Sequence, residues 1–193
     1  MPIQPLDALR AIAEYRDERT VVVPTMTALQ PFQAISPSDL NIPCIGFMGG
    51  ASSLGLGLAL AQPDRRVIVL DGDGSLMMQL GALATNAGAG AENFYHFVFK
   101  NGVYHVSGAQ PIPSADKADF AMMAKGAGYA HTFSFDNLED LRVRIAEIFS
   151  LKGPVFVQLV TEQITNPPQG GRIGGASFPQ QAEAARMALV GHA

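Results

Sequence analysis

Two stretches of this chain place oxygen-bearing side chains where apolar runs end. The first is Asp71-Gly72-Asp73-Gly74-Ser75, following Arg66 to Leu70. The second is Asn101-Gly102, following Asn93 to Phe99 and lying 28 positions beyond Asp73. Several phosphate and metal templates fail on spacing. A dinucleotide fingerprint needs a third glycine three residues after its second, and Met77 or Leu60 stands there instead. No Gly-Lys-Ser/Thr occurs for a P-loop. An EF-hand begun at Asp71 would have Leu76 in place of its glycine and Ala82 in place of its terminal glutamate. Neither a serine-hydrolase elbow nor HExxH is present. What survives is an oxygen pair. An Asp carboxylate, an Asn amide oxygen and a loop carbonyl suit Mg²⁺, which prefers octahedral oxygen sites completed by water or substrate phosphate. Gly74 and Ser75 open a predicted helix, so their N–H groups and its dipole are placed to hold an anion beside the cation. The combination predicts a metal-bridged diphosphate.

Such a pair meets only if the two apolar runs are adjacent parallel strands, and the rest of the chain supplies that context. Leu6, Leu9, Ile12 and Ala13 fall at helical spacing within residues 5–18, and residues 20–24 form a short buried strand ended by Pro24. Strands are predicted at 42–47, 66–70, 93–99, 130–135 and 154–160. Helices are predicted at Ala51–Ala61, Ser75–Ala87, Lys117–Ala127 and Leu138–Leu151. This alternation implies an α/β fold, a three-layer sandwich with a mainly parallel sheet that binds ligands at the carboxyl ends of its strands. Residues 1–164 form the predicted domain. Residues 165–193 read as a Pro/Gly-rich tail with a short helix from Pro179 to Val190.

Composition narrows the partners. The 193 residues carry a net charge of -4 with 13 Lys plus Arg, scattered along the chain, which leaves no basic footprint for nucleic acid or an anionic membrane. Cys44 is the single cysteine, too few for an intrachain disulfide, a CxxC redox pair or a cysteine-built zinc site. The charged first 20 residues lack the apolar core of a secretory signal, and a cytoplasmic setting is expected. Leu40 to Pro63 has no charged residue and is long enough to span a bilayer. Its glycines, Pro43 and the Ser52-Ser53 pair favour a strand, a turn and a small-residue helix instead.

Gly-Asp-Gly followed some 25 residues later by Asn resembles the diphosphate-binding domain of thiamine diphosphate (ThDP) dependent enzymes. The likeness extends from Ile42 to Val160 and is carried by "IGFMGGASSLGLGLALAQPDRRVIVLDGDGSLMMQLGALAT" and "NGVYHVSGAQP". These stretches look like sulfopyruvate decarboxylase beta subunits, phosphonopyruvate decarboxylases and acetolactate-synthase-like relatives. The resemblance implies Mg²⁺ ligation by the side chains of Asp73 and Asn101 and the carbonyl of Val103. It also implies cofactor contacts from Gly46, Met48, Gly72, Gly74, Ser75 and Tyr104. Met48 would be the apolar wedge under the thiazolium, and Gly46 would offer a carbonyl to the 4'-amino group. Lys100 and His105 depart from the family pattern, and His105 is either a candidate acid-base group or a structural loop residue.

The family's activating glutamate comes from a separate pyrimidine-binding domain, and no glutamate here lies in a segment resembling one. The resemblance therefore implies one subunit of a split 2-oxo acid decarboxylase or related carboligase, a carbon-carbon lyase working as a hetro-oligomer with a pyrimidine-domain chain on a small 2-oxo acid. The rivals are an orphan ThDP-binding module and the beta subunit of a 2-oxo acid oxidoreductase, whose iron-sulfur cluster one cysteine could not ligate. Asp71 reads as a structural support, His96 and His131 as packed or edge residues, and Arg172 as part of a tail or flap.

Overall fold

The computed structural model describes residues 2–163 and 178–190; Arg172 and the glycines around it lie outside the described residues. In chain order the elements are α1 (Pro5–Ala13), β1 (Val21–Pro24), α2 (Met26–Ile35), α3 (Ala51–Ala61), β2 (Val67–Gly72), α4 (Asp73–Met78) and α5 (Ala82–Ala89). Then follow β3 (Phe94–Lys100), β4 (Val103–Tyr104), a 3-10 turn (His105–Ser107), β5 (Gln110–Pro111), α6 (Phe120–Ala127), β6 (His131–Phe135), α7 (Leu138–Ser150), β7 (Val155–Val160) and α8 (Phe178–Val190). Five strands form one sheet in the order β1-β2-β3-β7-β6, every pair parallel, and β4 and β5 make a separate antiparallel pair.

Strand periodicity sorts the core into two layers. Ile68, Leu70, Phe97 and Val157 face α1, α2 and α7, whereas Val67, Val69, Phe94 and Phe156 face α3, α5 and α6. A parallel sheet covered on both faces needs apolar residues at nearly every strand position, and β1, β2, β3 and β7 are buried almost throughout. Asn137 caps α7 by accepting from Asp140 N at 2.8 Å, and Asp119 caps α6 by accepting from Met122 N at 2.9 Å. Cys44 is buried as a small hydrophobe, His96 is buried, and His131 is half-buried on the edge strand β6.

The structure corrects several element boundaries. Residues 42–47 do not form a strand: the segment touches β1 only through isolated bridges at Asn41 and Cys44. Val22 N donates to Leu40 O, Ile42 N to Val22 O and Cys44 N to Pro24 O. The intervening bond in such a ladder would come from residue 24, and proline has no N–H. The expected helix over 75–87 is two helices broken at Gln79–Gly81, and it begins earlier, at Asp73. The helix expected over 5–18 ends at Ala13, and the one expected from Lys117 begins at Phe120, behind its Asp119 cap.

α2 is an element without a sequence signal: Pro31 sits inside it and its buried face is Ala28, Leu29, Pro31 and Phe32. At the other end of the chain, α8 buries Ala185 and packs Ala188 and Leu189 against the α3 side of the core, and Arg65 Nη2 donates to Ala188 O at 3.4 Å. No helix among the described residues is long and apolar enough to cross a membrane, and α3 has 11 residues.

The α3 contact with the sheet depends on Gly55. A Cβ there would lie 2.3 Å from Val69 Cγ2 and 3.2 Å from Phe94 Cε2, both on rigid strands. Gly55→Val is expected to push α3 off β2 and cost about 1–3 kcal/mol of stability. Urea unfolding of wild type and variant checks this; equal midpoints would contradict the packing.

Candidate cofactor site at the strand ends

β2 and β3 are neighbours, and their register pairs Gly72 with Phe99. The chain leaving each strand therefore enters the same space. Asp73, the first residue of α4, turns its Oδ2 to accept from Gly102 N at 2.7 Å, while its Oδ1 accepts from Gly74 N at 2.8 Å. Asn101 Oδ1 accepts from Val103 N at 3.0 Å, folding the loop back on itself. Gly102 makes that turn at φ +77, a left-handed conformation that side-chain-bearing residues rarely adopt. Asp73, Asn101 and Val103 thus line one cleft; the spacing brings Asp73 and Asn101 together, and Val103 is the position that the family resemblance adds. A carboxylate or amide oxygen that accepts one N–H keeps a lone pair for a cation.

The cation chemistry is constrained by what is absent. Among the described residues no group of three or more His, Cys, Asp or Glu converges on one point. A metal here has one carboxylate and must be completed by neutral oxygens and by ligands from outside the chain. That donor set fits Mg²⁺ with a diphosphate and fits poorly any ion that needs nitrogen or sulfur.

Electrostatics show the cost of the arrangement. Burial pushes the Asp73 carboxyl above its usual range, opposed by the N–H groups of Gly102 and Gly74 and by the Lys100 ammonium. Lys100 itself is tethered, its Nζ donating to Ala118 O at 2.6 Å. The departure from the family pattern at this position therefore places a tethered cation near Asp73.

The cleft beside Asp73 is lined by Thr25, Met26, Thr27, Met48, Gly72, Gly74, Ser75, Tyr104 and His105 as well as by the proposed ligands. Its walls are held closely. A Cβ on Gly74 would lie 2.6 Å from the Tyr104 ring, so only glycine lets the β4–β5 hairpin settle over α4. Ser75 Oγ accepts from Gly49 N at 2.9 Å, tying the loop that carries Met48 to the same turn. Gly46 stands at φ +69 and is not among the residues lining the cleft. His105 lines the cleft with a buried Nδ1 that has no hydrogen-bond partner.

Two features modify the expected anion site. The Gly74 N–H is spent on Asp73, and α4 has only 6 residues, so its dipole is short. The first turn of α2, Thr25 to Thr27, faces the same cleft, and α2 has 10 residues. The first N–H groups of a helix lack partners within it, so this helix start is a second candidate for facing an anion, one that sequence reasoning missed because it missed the helix. Met26 is held there at φ +37, unusual for a residue with a side chain.

Comparisons with known proteins place this geometry. Residues 23–159 match the thiamine pyrophosphate enzyme, C-terminal TPP binding domain, and the chain belongs to that family. Among individual relatives, it is 35% identical over 150 residues to phosphonopyruvate decarboxylase of Streptomyces viridochromogenes, covering 78% of this chain and 37% of that protein. It is 32% identical over 159 residues to sulfopyruvate decarboxylase subunit beta of Methanothermobacter thermautotrophicus, covering 82% of each. The chain thus spans well under half of the phosphonopyruvate decarboxylase and most of the beta subunit. An X-ray structure from Mycobacterium smegmatis, assigned as a thiamin diphosphate-dependent enzyme, shares the fold at a TM-score of 0.71 and 18% identity, over 84% of this chain and 32% of its own.

The raised Asp73 carboxyl has a definite pH signature. A carboxyl whose folded value is raised contributes stability that is complete below its unfolded value and is lost as pH rises through the folded one. Without metal, the stability of wild type relative to Asp73→Ala should therefore increase as pH falls from neutral through the carboxylate range. Urea unfolding of both proteins across that range measures it, and a difference that stays constant or moves the other way contradicts the buried, charge-disfavouring setting.

Proposed function

We propose that this chain is the diphosphate- and Mg²⁺-binding subunit of a split thiamine diphosphate-dependent 2-oxo acid decarboxylase, of the sulfopyruvate or phosphonopyruvate type, or of a related carboligase. The observation that carries the proposal is the meeting of Asp73, Asn101 and Val103 at the ends of β2 and β3, in a chain that covers most of a beta subunit's length. When bound, thiamine diphosphate supplies the nucleophile and electron sink that decarboxylation of a 2-oxo acid requires. The chain's own residues bind and orient. Asp73, Asn101 and the Val103 carbonyl hold the cation, while Gly74, Ser75 and the first turn of α2 face the diphosphate. Met48 and Tyr104 line the same cleft. His105, with its unpartnered Nδ1, is this chain's own candidate for handling a proton at the substrate.

Two features favour a site completed by another chain. No glutamate is among the residues lining the cleft, so the group expected to contact the pyrimidine ring is not supplied by the described residues. Ile45, Phe47, Met78 and Val106, in or beside the segments that line the cleft, are each at least half exposed. Apolar side chains concentrated around a polar site suit an interface with a pyrimidine-domain partner.

Calorimetry of the purified chain should find thiamine diphosphate taken up weakly and only with Mg²⁺ present. Asp73→Ala should abolish that uptake while the circular dichroism of the folded protein persists. Tight uptake in chelator, or unchanged affinity in the variant, would contradict the diphosphate site. Decarboxylation of 2-oxo acids should be near background for the chain alone and rise when a pyrimidine-domain chain is supplied; robust activity without one refutes the split arrangement.

A further inference from the structure

The side of β2 and β3 that faces α5 and α6 carries a line of buried polar groups that the cofactor site does not use directly. Asp71 and His96 are diagonal neighbours on these strands, with His96 Nε2 3.4 Å from Asp71 Oδ2. His96 Nδ1 lies 3.3 Å from the Tyr129 hydroxyl, to which Asn86 Nδ2 donates at 3.2 Å. His96 and Asn86 are fully buried, Asp71 and Tyr129 nearly so. Buried polar groups are expensive unless paired, so a chain of four in an otherwise apolar layer calls for a reason. Packing fixes it in place: the His96 ring meets Phe156 edge-on at 5.1 Å, and the Tyr129 ring does the same at 5.5 Å.

With His96 as the neutral Nε2–H tautomer and the Asn86 amide as placed, the donors run in one direction. Asn86 donates to Tyr129, Tyr129 to His96 Nδ1, and the His96 Nε2–H to Asp71. Burial holds the Tyr129 phenol protonated well past its ordinary range, which keeps it a donor. Every link points toward Asp71. The other carboxylate oxygen of Asp71 accepts from Gly72 N at 2.9 Å, and Gly72 is the residue on which Asp73 turns into α4. No neighbouring atom would meet a Cβ on Gly72 within 4 Å, so side-chain packing does not steady it.

We propose that Asp71 is a positioning residue for the cofactor turn, aimed by His96, Tyr129 and Asn86, and that it fixes Gly72 so that Asp73 is already directed at Gly102 and the cation site. The proposal rests on the reading of Asp73 as the cation's carboxylate ligand for its functional meaning, but its structural content concerns this chain alone. Asp71 acts through Gly72 and touches neither cation nor substrate.

Hydrogen-deuterium exchange of the full, cofactor-free chain tests it, followed by titration with Mg²⁺ and thiamine diphosphate. Asp71→Ala should speed exchange in the peptide spanning 71–76 on the order of tenfold, the consequence of losing about one hydrogen bond, with distant peptides unchanged. Asp71→Asn should restore protection. Its Oδ1 can still accept from Gly72, and its amide can donate to His96 in the other tautomer. If Asp71→Ala fails to fold, Tyr129→Phe, which removes one oxygen remote from the turn, supplies the loss arm with a smaller increase in the same peptide. Cofactor affinity should follow the same order, wild type and Asp71→Asn above Asp71→Ala. Unaltered exchange at 71–76 in folded Asp71→Ala, or in Tyr129→Phe when it stands in, overturns the proposal, as does an Asp71→Asn protein as unprotected as Asp71→Ala. A wild-type chain that takes up no cofactor would count against the functional reading only, because the exchange result still decides the positioning role.

Discussion

Asp73 Oδ2 and Gly102 N lie 2.7 Å apart across the ends of two parallel strands, and most of the site follows from keeping them so. A parallel pair delivers its two exits on the same side of the sheet, which is why residues 28 apart can share a cation. The contact needs β2 and β3 in register, and the register needs both faces of the sheet covered. α3 can approach β2 only because Gly55 has no side chain. The β4–β5 hairpin can approach α4 only because Gly74 has none. These glycines serve close approach, and Gly102 serves a left-handed turn, so the same residue type answers two separate geometric demands in one site.

Burial of Asp73 is unfavourable to the isolated chain, since its ionised form is disfavoured there and it has a single fixed cation, Lys100, nearby. Sites that bind charge commonly hold such a group against the grain of stability, and the ligand removes the penalty. The neighbouring Asp71 is treated differently. It is as deeply buried, but His96 and the Gly72 N–H meet both of its oxygens. Each oxygen of Asp73 also meets one N–H, from Gly74 and Gly102, but Asp73 lines the cleft at the strand ends and Asp71 is not among the residues lining it. That difference in position is one their near-identical settings in the sequence do not reveal.

Much of the architecture was legible in the chain, for physical reasons that also mark where legibility stops. The apolar runs at 66–70, 93–99 and 154–160 point to buried strands and are found as β2, β3 and β7, and the helix expected over Leu138–Leu151 is α7, with Leu141, Ile145 and Ile148 buried. The pairing of Asp73 with Asn101 followed from oxygen chemistry and strand adjacency. α2 was not legible, because Pro31 reads as a helix breaker and the helix survives it through tertiary packing of Phe32 and Leu29. The segment 42–47 looked like a strand by composition, yet the missing N–H on Pro24, a residue of its neighbour, reduced it to bridges. The link from Asn86 through Tyr129 and His96 to Asp71 joins four distant stretches, and only the observed register and helix placement reveal it.

The cleft's charge makes an order of events follow from its composition. One carboxylate offers a divalent cation a single negative charge, and Lys100 subtracts from the local potential that would draw a bare ion in. Mg²⁺ sheds water reluctantly and is seldom held by so little protein. In the proposed site a diphosphate would change the balance, because its oxygens would supply the missing ligands and its charge would face the helix start at Thr25 to Thr27. On the proposed function, the protein surface would be complementary to the cation and diphosphate together and poorly complementary to either alone. The same logic extends to the apolar rim around Phe47 and Val106. A polar centre that is strong only when filled, bordered by exposed apolar side chains, would, on the proposed function, couple occupancy of the site to its closure by a second surface.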